Sequence, residues 1–280
     1  MTDYLTHTQL EELKTNIEDG IEQLSIKLHP SEHRNHLGIS EIGEECKAKL
    51  YFKFRWVSLE QHEGWIRRLF ARGHREEERY INYLEGIGCT IYRTTPEGKR
   101  LRVSGVMGHY GGELDLIIKT PWYHEIPFLT EFKTHNAKSF AHYVDKGLQI
   151  SKPKHYDQMC GYGEKLQIQY GLYFSENKND DDIQVTPIKL DWERGKALEK
   201  KAAEIILATE RPPKISENSA YYECKTCFAR DICHNEAIPE KNCRSCKNSR
   251  ATENATWTCN KFGLIPPDFI KIGCSEWMPI

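Results

Sequence analysis

Asp115, Glu131 and Lys133 are the residues whose types and spacing could do chemistry. They stand in Gly112-Glu113-Leu114-Asp115 and Glu131-Phe132-Lys133, at the ends of two adjoining apolar runs. Two carboxylates offer hard oxygen ligands for Mg²⁺ or Mn²⁺. Such an ion polarises a phosphate and lowers the pKa of a bound water. Strand side chains alternate with period two, so Lys133 projects to the same face as Glu131. There its ammonium can orient the attacking water and offset charge building on the phosphorane. The setting matters as much as the pattern. Residues 112–119 and 128–133 are short apolar stretches with charges set inside them. A buried, unpaired carboxylate is costly, so charges placed there imply a metal or a partner. The chemistry indicated is cation-dependent phosphodiester cleavage.

The elements that must position these groups follow from periodicity. Apolar residues from Leu10 to Ile26 recur at helical spacing over 8–28 and stop at His29-Pro30. Ser40 begins a short helix carrying Cys46 and the aromatic cluster Tyr51, Phe52, Phe54 and Trp56. A longer helix runs over 61–85. Strands follow near 89–94, 100–107, 112–119 and 128–133, with Pro96-Glu97-Gly98 as a turn. Helices are expected at 137–147, 154–166 and 192–208, and strands at 168–174 and 183–190 around a polar tip at 177–182. Arg211-Pro212-Pro213 looks like a linker. This order gives an α/β fold, a mixed central sheet flanked by helices.

The 280 residues suit one sizeable α/β domain plus a small appendage. With 29% charged residues the chain reads as soluble, and no apolar run reaches the ~20 residues of a membrane helix. No signal-peptide core is visible at the N-terminus, so a cytoplasmic location is expected. The formal charge of −2 gives no global basic field. Contact with DNA would have to come from local patches such as Arg67-Arg68, Arg72, Arg75 and Lys146 to Lys154.

Ten cysteines in such a chain argue for metal rather than disulfides. Cys243-x₂-Cys246-x₁₂-Cys259-x₁₄-Cys274 suggests a tetrahedral Cys₄ zinc knuckle. Cys224-x₂-Cys227-x₅-Cys233 lies just before it. A competing partition, Cys224-x₂-Cys227-x₁₅-Cys243-x₂-Cys246, has zinc-ribbon spacing but would strand Cys46, Cys233, Cys259 and Cys274.

Four short motifs occur in order: Gly73 with Glu77, Gly112 with Asp115, Glu131 with Lys133, and Gln158 with Tyr162. Through them the chain resembles the PD-(D/E)xK nuclease superfamily over roughly residues 40–235. More narrowly, it resembles the RecB-type exonucleases with an iron–sulphur cluster, which include the CRISPR-adaptation nuclease and the AddB subunit. That resemblance implies a restriction-endonuclease-like core acting as a DNA exonuclease. It implies that Glu77 joins Asp115 and Glu131 as a metal ligand. Gln158 and Tyr162, one helical turn apart, would support the site and contact DNA. Cys46, Cys224, Cys227 and Cys233 would hold a [4Fe–4S] cluster that clasps the ends of the nuclease domain. The implied partners are DNA ends and proteins of recombination or CRISPR adaptation.

Helical geometry adds that Ile66, Phe70, Gly73, Glu77, Tyr80 and Leu84 share one stripe, with His74 beside it as the rival for the first motif. The domain reading is 1–39 helical, 40–235 nuclease and 236–280 cysteine-rich tail. The alternatives on the same residues are a structure-selective endonuclease and a catalytically silent DNA-end-binding module.

Overall fold

A computed structural model describes residues 5–280. Chain order is α1 (His7–Leu28), β1 (Leu37–Gly38), α2 (Lys47–Phe54), α3 (Gly64–Gly86), β2 (Thr90–Tyr92), β3 (Arg102–Gly105), β4 (Tyr110–Glu113), β5 (Leu116–Thr120) and β6 (Tyr123–His135). Then come α4 (Ala137–Lys146), α5 (Leu148–Ser151), α6 (Pro153–Leu166), β7 (Tyr170–Asn177), β8 (Ile183–Lys189) and α7 (Trp192–Ile206). The C-terminal part holds α8 (Tyr222–Lys225), α9 (Arg230–His234), β9 (Ser249–Thr252), β10 (Thr256–Cys259), β11 (Gly263–Ile265) and α10 (Pro267–Ile270).

The main sheet has the order β2-β5-β6-β7-β8. All its pairs are antiparallel except β6 with β7, which run parallel. A parallel pair needs a long crossover, and α4, α5 and α6 supply it. Asn136 caps α4 through its side chain, and Pro153 opens α6, where a missing N–H costs nothing. β7 is buried from Gly171 to Asn177, as a central strand covered on both faces should be.

The strand expected over 112–119 is interrupted. Tyr110–Glu113 pairs with β1 and β3 in a separate three-stranded sheet, and the main sheet takes over at Leu116. Between them the Leu114 N–H is taken by the Leu101 carbonyl at 3.1 Å, and Asp115 forms a bend. The helix expected from Ser40 starts only at Lys47, because Cys46 acts as its N-cap and accepts from the Lys49 N–H at 3.4 Å.

The α3 stripe holds at its C-terminal end and fails at the other. Tyr80 and Leu84 are buried, whereas Phe70 is half exposed and nothing lies near Gly73 on its side-chain side. The basic patch on this helix is also partly internal. Arg67 is buried against Ser31 and the His62 carbonyl, Arg68 pairs with Glu22 at 2.9 Å, and Arg72 donates to the Lys178 carbonyl.

Two cores result. One, under α3, packs Tyr80, Ile81 and Leu84 on Phe132 and Phe174. The larger lies beneath α2, α6 and α7 and takes in Trp257 of β10, which packs 5.3 Å from Phe54. The cysteine-rich tail therefore shares the main core. Its three-stranded antiparallel sheet is tied on further by Arg55, which donates to the Cys246 carbonyl at 2.6 Å. Among the described residues no helix is long and apolar enough to cross a membrane.

Candidate active site

β6 carries Glu131, Lys133 and His135 at alternate positions, so all three lie on the face that α6 covers. Glu131 is 1% exposed, and its Oε1 accepts from Gln158 Nε2 of α6 at 2.7 Å and from the Lys133 ammonium. Leu116 pairs with Thr130, which sets Asp115 level with Glu131 on the neighbouring strand. There the Asp115 Oδ2 accepts the Phe132 N–H at 2.9 Å. The bend at Asp115 thus lets one carboxyl cap a neighbouring strand while its other oxygen stays available. Tyr162 donates to the Glu113 carbonyl at 2.7 Å and braces the same bend. A side chain at Gly112 would meet the Tyr162 hydroxyl at 2.5 Å, which is why that position is glycine.

Glu77 comes from α3. Its carboxylate lies 3.7 Å from His74 and 3.9 Å from Arg100. His74 is mostly exposed, with Glu77 much the more buried of the two. A cleft of about 580 Å³ runs alongside, lined among others by Arg34, His74, Glu77, Lys133 and Ser175.

The electrostatics are those of crowded acids. Burial, and then the Asp115 carboxylate, push Glu131 up to about 7, against the pull of Lys133. Burial and Asp115 likewise raise Glu77. Lys133 shows the converse: burial alone would lower it, but Glu131 and Asp115 outweigh burial and hold it protonated. Lys133 and, at 3.9 Å from Glu77, Arg100 face the three acids, and the pKa values of Glu131 and Glu77 stay raised nonetheless. A cation placed here relieves that repulsion, and the donors are the hard oxygens that Mg²⁺ and Mn²⁺ take.

No protein-family model matches the chain, and no curated protein matches it. Solved structures do show a likeness. The alkaline exonuclease LHK-Exo from Laribacter hongkongensis is 15% identical, with 62% of this chain and 87% of that one covered, at a TM-score of 0.47. LHK-Exo in complex with dAMP gives 14%, 61%, 86% and 0.46. The structure described as SSO0001 gives 15%, 78%, 96% and 0.45. At such scores the chemistry must be carried by this chain's own residues.

The cysteines fall into two groups. Cys46, Cys224, Cys227 and Cys233 line one small cavity of about 20 Å³. Cys243, Cys246, Cys259 and Cys274 line another of about 190 Å³. The pairs Cys224/Cys227 and Cys243/Cys246 are thereby separated, unlike in the zinc-ribbon partition. Burial, then the neighbouring thiols of Cys46 and Cys233, raise Cys224, and burial followed by Cys274 and Cys246 raises Cys243. Among the described residues, no three His, Cys, Asp or Glu side chains stand close enough to enclose an ion as placed. Cys89 and Cys160 are buried apart from both groups.

One network escaped the sequence reading. Tyr173 of β7 sits with its hydroxyl between His135 Nε2 at 2.9 Å and His155 Nδ1 at 2.7 Å. Burial lowers His135 to about 4, and burial together with Lys133 lowers His155 to about 3. The period-two continuation Glu131, Lys133, His135 was its only visible signal.

Proposed function

We propose that the chain is a divalent-metal-dependent deoxyribonuclease that hydrolyses phosphodiester bonds at DNA ends. The observation that carries this is the buried Glu131 carboxylate, held by Gln158 and by a Lys133 that, with Glu77, lines an open cleft, and set beside Asp115. Asp115, Glu131 and Glu77 would hold the metal, which supplies Lewis acidity and an activated water. The protein's own residues do the rest. Gln158 fixes the Glu131 oxygen that Lys133 shares, so the carboxyl cannot turn away. Lys133, kept protonated by its acidic neighbours, stabilises charge on the phosphoryl oxygens as it develops. Tyr162 holds the Asp115 bend in register with β6. Arg34 and His74, lining the cleft, suit phosphate contacts.

A catalytically silent end-binding module would have no use for a buried Glu131 that the neighbouring Asp115 carboxylate helps to hold above the usual carboxylate range. An endonuclease on the same residues differs in substrate, and one assay separates the readings. With Mg²⁺ or Mn²⁺, linear DNA should be degraded to small products while covalently closed circles of the same sequence survive. Cutting of both marks an endonuclease, and cutting of neither marks the silent module.

On this reading residues 40–235 form the nuclease unit, closed by the Cys46, Cys224, Cys227 and Cys233 group, with 236–280 as a bracing tail. Thiolates at both groups suit iron–sulphur or zinc. The resemblance favours a [4Fe–4S] cluster at the first group, although the void there has room for about one water molecule. The spacing favours zinc at the second, where the void is larger. Iron and zinc content of anaerobically purified protein, with Cys224→Ser and Cys243→Ser variants, assigns each metal to its group.

A further inference from the structure

α1 carries six large aliphatic residues, Leu10, Leu13, Ile17, Ile21, Leu24 and Leu28, at successive steps of three or four. That spacing averages one helical turn, so the six form a straight apolar stripe from end to end of the helix. Each is between 47% and 63% exposed, and Ser25 is the only buried residue of α1. The helix is held to α3 from another side and by polar groups. Glu22 pairs with Arg68 at 2.9 Å and accepts the Gly64 N–H, and Ser25 accepts from Arg68 at 3.0 Å. At 100° per residue, Glu11, Glu12, Glu18, Asp19 and Glu22 all fall on the half opposite the stripe. The apolar ridge is therefore unpartnered within the described chain and free of acids.

We infer that this ridge is the contact through which two copies of the chain pair, α1 against α1 in antiparallel orientation. Three observations select a second copy. A two-fold contact must be self-complementary, and a uniform ridge of aliphatic residues meets its own copy with Leu10 level with Leu28 and Ile17 level with Ile21. The size is adequate: six half-exposed aliphatic side chains offer on the order of 500 Å² per copy. Two copies would bury roughly 1,000 Å², which reaches the lower bound of specific interfaces. The third observation is Gly20. It stands at the edge of the stripe, next to its midpoint, and nothing lies within 4 Å of where its side chain would be. A glycine inside a helix weakens it relative to alanine, and no packing among the described residues demands one here. At the centre of an antiparallel pair it lets the two helix backbones approach closely.

The test is the solution mass of the full chain by light scattering behind size exclusion, over a dilution series. Wild type should run at twice the 32.7 kDa chain mass. Ile17→Glu combined with Ile21→Glu should halve that mass, and both positions are exposed, so folding is not at risk. Gly20→Leu adds apolar surface yet should also shift the pair toward monomer, because it blocks close approach. A wild type that stays at 32.7 kDa throughout overturns the inference. So does a doubled mass that persists in the variant carrying both glutamate substitutions. If Gly20→Leu strengthens association, the ridge is merely adhesive and the specific pairing is wrong.

Discussion

The carboxylate site and the cysteine groups bring candidate ligands together by different means. Asp115 sits in the bend that opens β5 and Glu131 on the adjacent β6 of a five-stranded sheet, and α6 supplies Gln158 and Tyr162 to hold them. Tyr80 packs across the sheet on Phe132, with ring centroids 5.9 Å apart. That apolar packing fixes the acids whether or not an ion is bound. The cysteines, by contrast, come from a helix cap, four- and five-residue helices, loops and, for Cys259, the end of β10. Cys224 and Cys233 lie in the short helices α8 and α9, and Cys227 is between them. The main core holds these segments as well, since Phe228, Ile232 and Trp257 pack into it. On the proposed function, an ion at the acids would enter side chains that the sheet already positions, while an ion at the cysteines would add a further tie between segments.

The largest contrast to test is in stability. Cys46→Ser or Cys224→Ser should lower the Tm by about 10 °C or more, since losing even ~4 kcal/mol has that effect in a domain of this size. Asp115→Asn should leave the Tm within about 3 °C and abolish cleavage. Differential scanning calorimetry on the three variants decides it. Equal losses from cysteine and aspartate changes would erase the distinction.

Lys133→Ala comes next. It should reduce cleavage by about 10²–10³-fold, as expected for one lost charge-stabilising donor, with Mn²⁺ affinity nearly unchanged. A comparable loss of Mn²⁺ binding would make Lys133 a scaffold for the acids rather than a catalytic group.

How much of this was legible in sequence depends on the range of the forces involved. Asp115, Glu131 and Lys133 were visible because strand alternation and apolar flanks are local. The bend at Asp115 was not, because Leu114, Leu116 and Ile118 recur at strand spacing across it; it arises from the Leu101 carbonyl and the Phe132 N–H, both remote. The half-exposed Phe70 was unpredictable for a similar reason: the apolar period of α3 continues beyond the sheet it packs on. Burial of Arg67 depends on Ser31, 36 residues away. Spacing suggested the Cys243, Cys246, Cys259 and Cys274 set and the resemblance supplied the other, whereas nothing pointed to Arg244. Its guanidinium is buried over Trp56, Phe54 and Trp257 at 4.3, 4.5 and 4.7 Å. That joins the tail to α2 through residues nearly two hundred positions apart.

The pH effect should be smaller. His135 and His155 have folded pKa values lowered to about 4 and about 3, below their ordinary 6.5. At these two positions the unfolded chain binds more protons below pH 6.5, so their contribution to stability falls as pH drops from there toward 4, opposed in part by Glu131, whose raised pKa lets the folded chain take up a proton over the same range. Melting temperatures should decline by a few degrees between pH 7.5 and 5, and His155→Gln should flatten that slope. A slope unchanged in the variant would remove the pair from the account.

Smallest of all is the difference at the first motif. Glu77→Ala should slow cleavage about tenfold more than His74→Ala, because the more buried acid is the one that feels Asp115. The reverse order would assign the helix position to His74.

The central claim, that the acid cluster on β5 and β6 is a cation site for phosphodiester cleavage, is met most directly by Mn²⁺ titration calorimetry on wild type and on the Asp115→Ala, Glu131→Ala double variant. The account predicts a saturable site in the wild type that disappears in the variant, together with nuclease activity on linear DNA. Identical Mn²⁺ isotherms for the two proteins would contradict it.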